Sequence, residues 1–101
     1  MKVLFICNQN QNRSITAENL FKGVYTTRSA GLYNQEPVTK EELSWADLVI
    51  VMEDEQREEI AHRFPKQYLQ KKIISWNVPD IYKKEDPSLI KALEQKAKKS
   101  F

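Results

Sequence analysis

The residues best equipped for chemistry stand together in one stretch, Cys7-Asn8-Gln9-Asn10-Gln11-Asn12-Arg13-Ser14. The chain has one cysteine, a nucleophile when ionised, and five residues separate it from an arginine. The planar fork of Arg13 suits two oxygens of a phosphoryl group. For the two side chains to act on one atom, the residues between them must fold back tightly. Asn8 to Arg13 read as such a loop, carrying the chain from a strand into a helix. A loop of this kind turns successive backbone N–H groups inward at the helix N-terminus and makes a ready site for a phosphate-like dianion. At the base of that cradle, the same donors and the positive end of the helix dipole favour a thiolate at Cys7.

The flanking elements supply this context. Val3 to Ile6 is a continuous apolar run, the pattern of a strand covered on both faces of a parallel sheet. From Ser14 the periodicity becomes helical, with Ile15, Ala17, Leu20 and Phe21 forming the apolar set and Gly23 at the place of a C-terminal cap. A free cysteine is commonly just a small buried hydrophobe, so the case for Cys7 rests on the arginine and on the strand-loop-helix setting.

Cys7-x5-Arg13-Ser14, with Asn10 in the loop and Ala17-Glu18 on the helix, resembles the signature of the low-molecular-weight protein tyrosine phosphatases, and in particular a short bacterial group of predicted phosphatases in that superfamily. The likeness continues through Ser29-Ala30-Gly31, Trp45-Ala46-Asp47, Val51-Met52-Glu53 and Val78-Pro79-Asp80-Ile81-Tyr82, and so covers nearly the whole chain. It implies a two-step phosphoryl transfer. Cys7 attacks phosphorus and forms a phosphocysteine, while Arg13 and the loop residues Asn8, Gln9, Asn10, Gln11 and Asn12 bind the equatorial oxygens. Asp80 protonates the leaving phenolate and then activates the hydrolytic water. Ser14 hydrogen-bonds the Cys7 sulfur, Asn10 fixes the loop, and Tyr82 flanks the phosphotyrosine ring. Two positions depart from the larger family: Gln9 replaces a glycine, a change the short group tolerates, and Asn12 replaces a second cysteine.

The implied architecture is α/β: a four-stranded parallel sheet of order 2-1-3-4 with helices on both faces, residues 1–101 making one phosphatase-like domain. The switch point of such a sheet lies between strands one and three, beside Cys7. The chain is shorter than the family's full-size enzymes, which predicts an open site.

Composition narrows the field from another side. Sixteen basic and 14 acidic residues leave a net charge of +2, which argues against dedicated nucleic-acid binding. One cysteine excludes an intramolecular disulfide and the common zinc patterns, and fits a reducing compartment. No stretch reads as a signal peptide, and no apolar run approaches membrane-spanning length. The expectation is a soluble, cytoplasmic monomer with no metal or cofactor. Its substrate would be a phosphotyrosine protein or a small aryl phosphate.

Beyond the helix, Val24 to Ser29 reads as a short edge strand beside the first, with Arg28 facing solvent. The loop from Ala30 to Gln35 carries Tyr33, either an aromatic wall for a phosphotyrosine ring or an exposed loop tyrosine. Thr39-Lys40-Glu41-Glu42 has capping-box spacing and starts a short helix that sends Leu43 inward. Leu48 to Met52 is the longest apolar run and reads as a central strand, with Trp45 in the core. Asp54 reads as the N-cap of a helix from Glu55 to about Phe64 that Pro65 closes, with Glu55, Arg57, Glu58, Glu59 and His62 on its solvated side or end. Lys72 to Trp76 is the last strand. The loop from Asn77 to Lys84 then leaves the same sheet end as Cys7, which lets Asp80 reach the anion site. Asp86-Pro87 reads as an N-cap with proline at N1 of the final helix, amphipathic from Leu89 to Ala97, so Asp86 is assigned to structure and Asp80 to catalysis.

Other anion chemistries compete. Thiol-relay arsenate reductases need further cysteines, and a phosphotransferase-system B component needs neither Arg13 nor a distant aspartate. A phosphoprotein-binding or regulatory module that keeps the cradle and turns over poorly is the non-enzymatic alternative.

Overall fold

The computed structural model describes residues 1–101. Four strands, β1 (Lys2–Cys7), β2 (Thr26–Gly31), β3 (Leu48–Val51) and β4 (Lys72–Ser75), form one sheet of order β2-β1-β3-β4 in which every pair is parallel. Five helices connect and cover them: α1 (Arg13–Phe21), α2 (Lys40–Trp45), α3 (Asp54–Arg63), α4 (Pro65–Gln70) and α5 (Pro87–Ser100). No helix is long and apolar enough to cross a membrane.

The period-two alternation of a strand divides the apolar runs between two cores. Val3, Phe5 and Cys7 of β1 and Leu48 and Ile50 of β3 face one cluster, completed by Ala17 of α1 and Leu89, Leu93 and Ala97 of α5. Leu4, Ile6, Val49 and Val51 face the other, with Leu43 of α2 and Ile60 of α3. Burying each such aliphatic or aromatic side chain contributes about 1.5–3 kcal/mol, so both faces of the two central strands are needed. Register brings the strand ends level: Cys7 pairs with Gly31, Ile6 with Val51, and Val51 with Ser75. The four loops that follow therefore meet at one end of the sheet, where open α/β folds bind ligands.

Several boundaries differ from the expectation. The second strand is Thr26–Gly31 rather than 24–29, because Val24 and Tyr25 are spent in the turn that closes α1, both their N–H groups donating to Phe21 O. Gly23 follows the C-cap Lys22 without a left-handed φ. Glu53, not Asp54, is the N-cap of α3, and Pro65 opens α4 at its first position as well as ending α3. The central and last strands stop one residue early, at Val51 and Ser75, and the final helix, which starts at Pro87 as expected, runs on past Ala97 to Ser100. The capping box of Thr39 and Glu42 is present, and Asp86 Oδ1 accepts from Ser88 N at 2.8 Å with Pro87 following. Trp45 is partly buried against the second core, with the Arg28 guanidinium 4.2 Å from its ring centre.

Candidate active site

Cys7 ends β1 and is 3% exposed. Its Sγ lies 2.9 Å from Ser14 Oγ, and the Ser14 hydroxyl donates to Asn10 Oδ1 at 2.7 Å. A serine hydroxyl has one proton to give. With that proton on Asn10, the thiol proton of Cys7 carries the sulfur contact; in the thiolate the hydroxyl proton turns to sulfur instead. Asn10 takes a left-handed φ of 54°, a conformation asparagine tolerates better than most residues, and its side chain is tied down by Ser14. The chain thus reverses within five residues and enters α1 at Arg13. The N-cap Asn12 makes no side-chain cap bond, which leaves the opening N–H groups of α1 to an external acceptor.

Gly31 fits the loop from below. A Cβ there would come 3.0 Å from Asn10 N and 2.6 Å from Asn34 Oδ1, so only glycine allows the loop to settle this close to β2. Leu32 N donates to the carbonyls of Cys7 and Asn8, and Tyr33 N also donates to Asn8 O.

Arg13 is 1% exposed. Its Nη1 donates to Glu53 Oε1 and to Val78 O, each at 2.8 Å, while its buried Nε has no acceptor and lies 3.9 Å from Asp80 Oδ1. One end of the guanidinium is thereby locked, and the Nε edge, which binds two oxygens side by side, is left available. Cys7, Gln9, Gln11, Asn12, Arg13 and Asp80 line one small pocket of about 40 Å³. Asp80 is separated from Cys7 by most of the chain, and the parallel sheet brings it there; its side chain is 59% exposed at the mouth. The walls are amides and charges, chemistry suited to an anion.

Five candidates lie outside that lining, Asn8, Asn10, Ser14, Tyr33 and Tyr82. Tyr33 is 53% exposed on the β2–α2 loop with the Arg63 guanidinium 5.0 Å from its ring centre, and Tyr82 is half-buried against the first core. Asn8 is half-buried and faces the start of α3 through a hydrogen bond from Gln56 Nε2. Glu53, Gln56 and Thr16 are tied to the site yet carried no expectation. Glu53-x-x-Gln56 has the reciprocal spacing of a helix start, but glutamate is a poor N-cap and Asp54 beside it a good one.

No protein-family model and no curated protein matches the chain by sequence. Solved structures do match its shape over nearly its full length. SP-PTP, a low-molecular-weight protein tyrosine phosphatase from Streptococcus pyogenes, has 18% identity and a TM-score of 0.80 over 98% of this chain and 89% of that one. The fold is that of the low-molecular-weight protein tyrosine phosphatases. The tyrosine phosphatase Wzb from Escherichia coli K30, in complex with phosphate, gives 23% identity and a TM-score of 0.78 over 98% and 94% of the two chains. A YwlE arginine phosphatase mutant with a phosphorylated active-site serine gives 23% and 0.76 over 98% and 95%. In this phosphatase fold the strand order 2-1-3-4 and the strand-loop-helix around Cys7 stand as the sequence led us to expect.

Proposed function

We propose that the chain is a cysteine-dependent phosphatase that hydrolyses phosphotyrosine-type phosphomonoesters through a phosphocysteine intermediate. The observation that carries this reading is the buried Arg13, one end clamped by Glu53 and Val78 and its Nε, 3.9 Å from Asp80, left without a hydrogen-bond acceptor in the pocket it shares with Cys7 and Asp80. A buried arginine held this way is costly unless an anion meets its free donors.

In the first step the Cys7 thiolate attacks phosphorus and the bond to the leaving oxygen breaks. The loop N–H groups and the Nε edge of Arg13 bind the three equatorial oxygens, where the charge of the transition state is spread. Asp80 gives its proton to the departing phenolate. In the second step Asp80 takes a proton from water, the water oxygen attacks phosphorus, the S–P bond breaks, and inorganic phosphate leaves. Ser14 donates to the sulfur as it regains its charge. The pocket accepts the phosphoryl group, while Tyr33 and Tyr82 border the path of the group that bears it. A phosphotyrosine protein or small aryl phosphate is the proposed substrate, handled by one cytoplasmic phosphatase-like domain acting as a monomer. The phosphorylated active-site serine of the YwlE mutant supports a covalent route, and the phosphate in complex with Wzb supports an anion site on this fold.

The test is hydrolysis of p-nitrophenyl phosphate and of a phosphotyrosine peptide, across pH, by wild type and Cys7→Ser. Turnover is expected to fall by on the order of 10⁴-fold or more in Cys7→Ser with phosphate binding retained, because the cradle is mostly backbone plus Arg13. Hydrolysis that persists in Cys7→Ser would refute the nucleophile assignment.

A further inference from the structure

The steps above give no task to Gln56, a buried polar side chain at the site. Gln56, on the first turn of α3, is 2% exposed. Its Oε1 accepts from Met52 N at 2.7 Å and Glu53 N at 3.0 Å, and its Nε2 donates to Asn8 Oδ1 at 3.0 Å. Two N–H groups on one oxygen fix the orientation of the amide, so its other end can only donate and Asn8 must present its carbonyl oxygen. The two halves of the anion site hang from different strands. The Cys7 loop starts at the end of β1, whereas Glu53, which clamps Arg13, follows the end of β3. Gln56 joins them directly: it holds the backbone of Glu53 with one end and the first residue of the loop with the other.

We propose that Gln56 is a positioning residue that sets the Arg13 fork in register with the Cys7 loop, so that one phosphoryl group meets both. This rests on the phosphatase reading. Displacing reacting groups by about 1 Å can cost about 100-fold in rate, and beyond the β1–β3 ladder the Gln56 amide is the side-chain bridge between Asn8 and the Arg13 clamp.

The experiment measures affinity for inorganic phosphate by titration calorimetry, hydrolysis of p-nitrophenyl phosphate, and thermal stability. The proteins are wild type, Gln56→Met, Asn8→Ala, the double variant and Leu93→Ala, all as the full chain. Gln56→Met keeps length and burial but removes three hydrogen bonds. Asn8→Ala cuts the same bridge from the loop side and leaves the Met52 and Glu53 N–H groups satisfied, so it remains decisive even where Gln56→Met folds poorly. Each single variant is expected to weaken phosphate binding about tenfold and to lower kcat/KM by about 10- to 100-fold, with the double variant no worse than the worse single. Leu93→Ala, a cavity under α5, is expected to lose thermal stability and keep phosphate affinity. Unchanged affinity in Asn8→Ala, or effects that multiply in the double variant, overturns the positioning role. A wild-type chain that neither binds phosphate nor hydrolyses the ester overturns the phosphatase reading instead.

Discussion

Two loops close over the pocket and are held by opposite means. The nucleophile loop, residues 8–12, is fastened from within: Asn10 to Ser14, Asn8 to Gln56, and two strand-end N–H groups to the Asn8 carbonyl. The acid loop, residues 77–86, is fastened at its ends. Val78 O accepts from Arg13 near one end; at the other, Glu85 N donates to the buried Thr16 Oγ1 and Glu85 Oε1 accepts from Asn19. Asn77 and Glu85, at φ 53° and 62°, sit at those two ends, while Asp80 and Ile81 stand exposed between them. The difference follows the work proposed for each. Donors that meet developing charge help most when they need not reorganise, whereas an acid that first gives and then takes a proton must suit a phenol and then a water.

Arg13 belongs to both loops, so changing it breaks the comparison most severely. Arg13→Lys replaces a fork by a point charge that cannot hold Glu53 and Val78 while also offering two parallel donors. A fall of about 10²- to 10³-fold in kcat/KM is expected, with weaker phosphate binding, measured by steady-state kinetics and calorimetry. Wild-type kcat/KM in that variant would mean that the Nε edge is not used.

The two loops also differ in how far the sequence betrayed them. The nucleophile loop is a local object: the apolar run Val3–Ile6, the cysteine, the arginine and the helical spacing after Ser14 all lie close together in sequence, and each constrains the next. Asp80 could be placed only through the parallel sheet, whose C-terminal ends share one side. The clamps were hidden. Glu53 and Gln56 look like part of an acidic, solvated helix start, and what makes one a half-buried and the other a buried partner is the packing of α3 against β3, a long-range fact with no local pattern. Tyr82 is similar: its partial burial against the first core is set by packing that no local pattern announces.

Asp80→Asn sharpens the comparison by disabling the acid loop alone. Hydrolysis of phosphotyrosine, whose phenolate leaves poorly, is expected to fall by about 10²-fold, that of p-nitrophenyl phosphate by much less, because p-nitrophenolate leaves without a proton. Phosphate affinity should hold or rise, since a carboxylate 3.9 Å from Arg13 Nε has gone. An equal loss on both esters would take the proton-donor role from Asp80. Gly31→Ala strikes the other loop. The new methyl group would press on Asn10 N, and a destabilisation of about 1–2 kcal/mol with phosphate binding weakened several-fold is expected from thermal melts and calorimetry.

The smallest effect isolates the anchoring of the acid loop. Thr16 is fully buried on α1, and its Oγ1 is the acceptor for Glu85 N. Thr16→Val preserves shape and leaves that N–H without its partner at the loop's edge, where water can reach it, a loss of about 1 kcal/mol. The loop keeps its other tie at Val78, so Asp80 stays near the pocket but is held less closely. Phosphotyrosine turnover is expected to fall less than tenfold, and phosphate affinity not at all. Kinetics with the two esters decide the matter: a loss confined to phosphotyrosine marks the loop's end as a setting for Asp80, whereas weakened phosphate binding would show that the two loops are not held independently.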